Sequence, residues 1–164
     1  MSVASTTVSV PVNDEKDVAA IKAVHLSWLD SNNDLVIEKM YPNFANPGYL
    51  QFNLNGHTYT SVDEKVKLWE GLHSIGFNLE DMKLVEEPVI HVEGNLGYLT
   101  TIWSALVSGT GSTGLMKVDE EPTVFRVTEV YRRDDGKGNP EWKIWHFHAS
   151  PIAPPETPRF PQES

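Results

Sequence analysis

No cysteine occurs in the 164 residues, which excludes disulfides, thiolate metal ligands and cysteine nucleophiles. Positive charge is scarce as well: 13 Lys and Arg stand against 23 Asp and Glu, a formal net charge of -10. A nucleic-acid partner needs a basic face for phosphates, so none is expected. Long apolar runs are also missing. None approaches the roughly 20 residues that cross a bilayer, and no membrane partner is expected. Met1 to Thr7 has neither a basic start nor an apolar stretch, so no signal peptide is expected, and with the lack of cysteine the expected location is cytoplasmic. Gly109 to Gly114 has the composition of a phosphate loop but lacks Gly-Lys-Ser/Thr and a following helix, so the stretch 108–121 reads as a hairpin tip or a lid. Asp30 to Asp34 lacks the glycine a calcium loop needs and reads as a turn that ends a helix. With no Rossmann fingerprint either, no cofactor is expected.

Hydrophobic residues make up 40% and charged residues 22% of the chain, ordinary for one globular domain. Residues 1–12 are small and polar and read as a flexible N-terminal arm, 13–152 as the folded domain, and 153–164 as a Pro-rich tail. Val18, Ile21, His25 and Trp28 form one helical stripe from about residue 13 to Ser31. A short second helix over Leu35 to Met40 or Tyr41 is stopped by Pro42. Ser61-Val62-Asp63-Glu64 is a capping box opening a third helix with Val62, Val66, Trp69 and His73 on one stripe, and Gly76 ends it. Tyr49 to Asn53 reads as a short strand before an Asn55-Gly56 turn. Lys83 to His91 reads as one strand bent at Pro88, followed by Leu96 to Val107, Thr123 to Arg133, and a last strand from Glu141 to Pro151. Helices first and strands afterwards predict an α+β fold, with the strands curved around the helices over a hollow.

The last strand carries most of the functional signal. Strict alternation puts Trp142, Ile144, His146 and His148 on one face and Lys143, Trp145 and Phe147 on the other. The histidine face suits a pocket wall, since imidazole titrates near neutral pH. The plain alternative is that His146 is a hydrogen-bonded core residue and only His148 meets a ligand. His25, within an apolar stripe, reads equally as a satisfied core histidine. Arg126 lies inside the cone if its face is concave, where it would anchor an oxyanion; otherwise it pairs with Glu120 or Glu121. A metal held by His25, His146 and His148 is considered and set aside, so no metal is expected. The aromatic face, Trp145 and Phe147 with Phe125 and Tyr131, would be an exposed patch on the convex side of the sheet.

Arg126-Val127-Thr128-Glu129-Val130-Tyr131-Arg132-Arg133, an Asp-Gly turn, and Trp142-Lys143-Ile144-Trp145-His146-Phe147-His148-Ala149-Ser150 resemble the closing run of SnoaL-like domains in the NTF2-like superfamily. Pro88 to Gly94 fits the preceding strand and turn. The run is also similar to the association domain of calcium/calmodulin-dependent kinase, which has a His-Phe-His there. The resemblance, over about residues 14–152, implies an NTF2-like cone, three N-terminal helices packed in a strongly curved mixed or antiparallel β-sheet. Ketosteroid isomerases of this superfamily carry a pocket tyrosine on the first helix and an aspartate base on the first strand. Those positions match His25 and Asn53 here, and asparagine takes no proton at neutral pH. The kinase domain's pocket arginines match Ser104 and Thr128, and its Arg after His-Phe-His matches Ala149. Members commonly dimerise through the sheet, so a homodimer through the convex face (Phe125, Tyr131, Trp145, Phe147) is expected.

The functional expectation is a cofactor-independent lyase or isomerase, working by dehydration, aldol or retro-aldol cleavage, or isomerisation. Its substrate would be hydrophobic, aromatic or polyketide-like. His25, His146, His148 and Arg126 would be catalytic; Trp28, Tyr41, Tyr49, Asn53, Trp69, Ser104 and Thr128 would bind substrate. This chemistry requires His25 within a few ångströms of the His146 and His148 face. The alternative is a non-catalytic ligand-binding or oligomerisation module with the Pro-rich tail as a partner handle.

Overall fold

The computed structural model describes residues 14–109, 121–153 and 156–160. The expected N-terminal arm, most of the Gly-rich segment and part of the tail lie outside the described residues. Helix α1 (Glu15–Asn32) is capped by Asp14, whose side chain accepts from the Lys16 amide, with Glu15 and Asp17 favourably placed at the positive end of the helix. A 3₁₀ turn leads into the short α2 (Ile37–Met40). Helix α3 (Val62–Ser74) starts on the expected box: Ser61 Oγ accepts from the Glu64 amide at 3.2 Å, and Glu64 reaches back to the Thr60 amide at 2.6 Å. Gly76 follows at φ +70°, the left-handed conformation that ends a helix at little cost for glycine.

The strands are β1 (Leu50–Phe52), β2 (Thr58–Tyr59), β3 (Phe77–Leu84), β4 (Val89–Glu93), β5 (Leu96–Gly109), β6 (Thr123–Arg133) and β7 (Trp142–Pro151). They form one seven-stranded sheet in the order β2-β1-β7-β6-β5-β3, with β4 also on β5. The β1–β7 pair is parallel; the others are antiparallel. The strand expected over Lys83 to His91 is really two, because the chain leaves the ladder at residues 85–88 around Pro88, and β3 begins earlier, at Phe77. The sheet wraps α1 and α3, as an α+β cone requires. Trp28 sits at the centre of its core, with Phe44, Phe147, Trp69 and Trp103 rings at 4.8, 5.5, 5.7 and 6.3 Å.

One irregularity redirects the last strand. Val130 pairs with His146 but Tyr131 pairs with Ile144, so Trp145 is an extra residue on β7. A bulge of this kind breaks the two-residue alternation. Trp142 and Ile144 point inward before it, and Phe147 and Ala149 point inward after it. His146 and His148 therefore face outward, opposite to the expectation from strict alternation. Trp145 leans across the strand end, its Nε1 donating to the Asp134 carbonyl at 2.8 Å and its ring 4.1 Å from the Arg132 guanidinium. Phe125, Tyr131 and Phe147 are buried inside the cone. They are not an exposed patch on its convex side.

Candidate functional site

The interior leaves a cavity of about 60 Å³, between α1, α3, the β1–β2 turn and the inner face of the sheet. Its walls are mainly apolar and aromatic, with Trp28, Trp69, Trp103, Phe125 and Phe147 prominent, and Asn53, Asn55 and Leu68 are its half-buried members. Sites for drug-sized ligands are commonly about 300–1,000 Å³. A polyketide-sized molecule does not fit this conformation; a compound of a few non-hydrogen atoms does.

Lys65 is the ionisable side chain among the residues lining this cavity. It is 4% exposed, and its Nζ lies 5.3 Å from the Trp28 ring centroid and 5.5 Å from that of Trp69. The two indoles are stacked 5.7 Å apart at 12°. Burial lowers the lysine pKa from 10.5 to about 7. That drop corresponds to about 5 kcal/mol against the ammonium form. The two indole faces attract the ammonium and oppose this in part, but burial sets the direction, and with the pKa at about 7 the amine is roughly half neutral near pH 7. The expected α3 stripe missed this residue. Lys65 stands three after Val62 and four before Trp69, on the buried face with Leu72, while His73 is exposed and bonds the Asp34 carbonyl at 3.2 Å. The signal was a lysine at a core spacing, easily read as solvated because lysine usually is.

Asn53 lies on the cavity wall. Tyr49 donates to Gln51 Oε1 at 2.6 Å, and Gln51 Nε2 donates to Asn53 Oδ1 at 2.6 Å. This relay along the inner side of β1 fixes the Asn53 amide and leaves its Nδ2 hydrogens available at the cavity. Trp28 and Trp103 also line it, and among the described residues neither indole N–H has a partner. Both nitrogens are closed off by packing, so the donor at the cavity wall is the Asn53 amide.

His25 is fully buried one layer behind Trp103, ring centroids 5.5 Å apart, and does not line the cavity. Its Nδ1 is 2.8 Å from Glu129 Oε2, which also accepts from Tyr131. An ionised carboxylate only accepts, so Nδ1 carries the hydrogen in this arrangement. Burial first, then the charge of Glu129, holds the Tyr131 and Tyr49 hydroxyls well above the usual tyrosine pKa. The signal for Glu129 was legible, as it interrupts the inward series Phe125, Val127, Tyr131.

The remaining expected site residues lie elsewhere. His146 and His148 flank exposed Phe52 on the outer sheet face, at 5.0 and 5.8 Å between ring centroids. His146 Nδ1 is 3.1 Å from the Leu50 carbonyl. Burial holds the His146 pKa below its usual value; the Leu50 carbonyl opposes this and His148 adds to it. Arg126 points outward and donates to the Pro151 carbonyl at 3.1 Å. Ser104 and Thr128 are half-buried on that same outer side. Tyr41 is a surface residue bonded to Asp63, which raises its pKa. Tyr49 is buried beyond the relay rather than at the cavity. Trp28, Trp69 and Asn53 are the expected residues that the fold brings together. The histidine site does not form, and no group of three metal-ligating side chains occurs among the described residues.

No family model and no curated protein matches the chain. Solved structures do. An NTF2-like protein from Pseudomonas putida KT2440 superimposes with a TM-score of 0.66 at 19% identity, over 87% of this chain and 92% of that one. A ketosteroid isomerase-like protein from Erwinia carotovora atroseptica gives 0.66 at 14%, over 86% and 100%. A protein with a cystatin-like fold from Caulobacter vibrioides gives 0.65 at 13%, over 85% and 92%. At such identities the likeness defines the fold: this chain has the NTF2-like cone. Among the described residues no helix is long and apolar enough to cross a membrane.

Proposed function

We propose that the protein is a cofactor-independent lyase or isomerase whose proton-transfer group is Lys65. The observation carrying this reading is a buried amine, with its pKa lowered to about 7, on the wall of a small aromatic cavity. A general base works best when its pKa lies near the operating pH, and here burial supplies that match. Lys65 would take the proton next to a carbonyl group. The Asn53 amide would hold the oxygen on which charge develops. Isomerisation, dehydration and retro-aldol cleavage all proceed from that enolate. The cavity supports a small carbonyl substrate.

The test is solvent-deuterium incorporation beside the carbonyl of small aldehydes, ketones and hydroxyketones, followed by NMR. Exchange should fall at least ~100-fold in Lys65→Met. No protein-dependent exchange from any of these compounds would remove the reading in favour of a ligand-binding module.

A homodimer remains part of the proposal, on a different set of residues. Phe52, beside His146 and His148, and Tyr98 and Val124 further along are exposed on the outer sheet face. An apolar face of this kind supports self-association. Sedimentation of the wild type against Phe52→Glu would check it, the variant shifting to monomer. The cysteine-free sequence is compatible with a cytoplasmic location.

A further inference from the structure

We propose that Lys65 is a nucleophile as well as a base: its amine adds to the carbonyl carbon of a small aldehyde or ketone in the cavity and forms an imine. This rests on the cavity being the substrate site. Three features converge on it. The amine is buried without a carboxylate partner among the described residues, so no fixed counter-charge keeps it protonated. Desolvated amines in apolar pockets are the activated form of lysine in covalent catalysis. On the same wall the Asn53 amide, whose Oδ1 already accepts from Gln51, offers N–H donors, which suits one acceptor oxygen on an otherwise apolar ligand. A carbonyl compound offers that oxygen without bringing a charge to be desolvated.

The chemistry balances without oxidant or reductant. The Nζ lone pair forms the N–C bond while the carbonyl π pair moves to oxygen, which takes up the proton that nitrogen loses. The resulting carbinolamine loses its hydroxyl together with the remaining N–H proton as water, leaving C=N, and water reverses the sequence. A protonated imine withdraws electrons more strongly than the parent carbonyl, so it eases loss of the neighbouring proton or cleavage of the neighbouring C–C bond. The role therefore deepens the lyase or isomerase reading.

Size defines the ligand class. The cavity, about 60 Å³, lies well below the roughly 300–1,000 Å³ of drug-sized sites, which limits the ligand to a small carbonyl compound. Propanal and butanal fit that limit.

The experiment treats the full chain with butanal and sodium cyanoborohydride at pH 7, followed by peptide mapping by mass spectrometry. At that pH about half of Lys65 is free amine, against less than about 0.1% of an ordinary lysine. Lys65 should gain a butyl group at least ~10-fold faster than exposed Lys67, its neighbour on α3. Folded Lys65→Met should lose the fast phase and keep the slow one. Labelling of Lys67 and the other exposed lysines as fast as Lys65 would overturn the proposal, and the wild type alone gives this result even if the variant fails to fold. Deuterium exchange that depends on Lys65 without trapping would overturn the imine and leave the general base. Trapping at Lys65 without exchange would support the imine and remove the lyase or isomerase reading.

Discussion

The Lys65 ammonium nitrogen stands 5.3 Å from the centroid of Trp28, inside the core rather than over its edge. The contact joins α3 to α1 through an amine that the fold has to hold largely out of water. Burial lowers its pKa to about 7, so the unfolded chain binds more protons than the native chain between pH 7 and about 10.5. The sign follows: this residue costs stability in full below pH 7, and the cost fades as pH rises. Lys65→Met should be more stable than wild type at pH 7.5, and its advantage should shrink by about 2 kcal/mol by pH 9. Urea unfolding of both proteins at the two pH values checks this. A constant difference would mean the amine titrates normally.

Glu129 accepts from both His25 and Tyr131 in a fully buried cluster. Glu129→Leu strips both donors of their partner and should cost about 3–5 kcal/mol in urea unfolding. Adding His25→Leu should restore part of that loss, because a buried imidazole without a partner is then no longer present. Strict additivity of the two substitutions would refute the coupling.

The outer placement of the β7 histidines makes a prediction opposite to the one alternation gave. His146→Ala and His148→Ala should leave carbonyl exchange within about 2-fold of wild type, far from the ~100-fold loss of an acid or base. A loss beyond 10-fold in either would bring that face back into the mechanism.

Gly48 has φ +118°, and a Cβ there would stand 2.4 Å from the Trp145 ring. Gly48→Ala should cost about 1–3 kcal/mol through backbone strain and displacement of the indole. Loss of the Arg132 contact should also alter Trp145 fluorescence. Wild-type stability would show that the ring moves aside freely.

Much of the fold was legible because its signals are local. Ser61 with Glu64, the turn glycines and the composition of β5 to β7 each determine a neighbourhood of a few residues, and the element order then implies the cone. The β3–β4 division escaped because leaving a ladder depends on what the partner strand offers, and β5 receives two strands at its two ends.

The local sequence sets most element types, the helical stripes that carry Trp28 and Trp69, and the lack of thiol chemistry. Tertiary structure alone decided which faces look inward. One extra residue at Trp145 reverses every side chain after it, and no local propensity announces a bulge, which exists only relative to the register of β6. That turned His146 and His148 out of the cone. The same packing drew Lys65 in, because the helix face carrying Val62, Trp69 and Leu72 has to be buried as a whole.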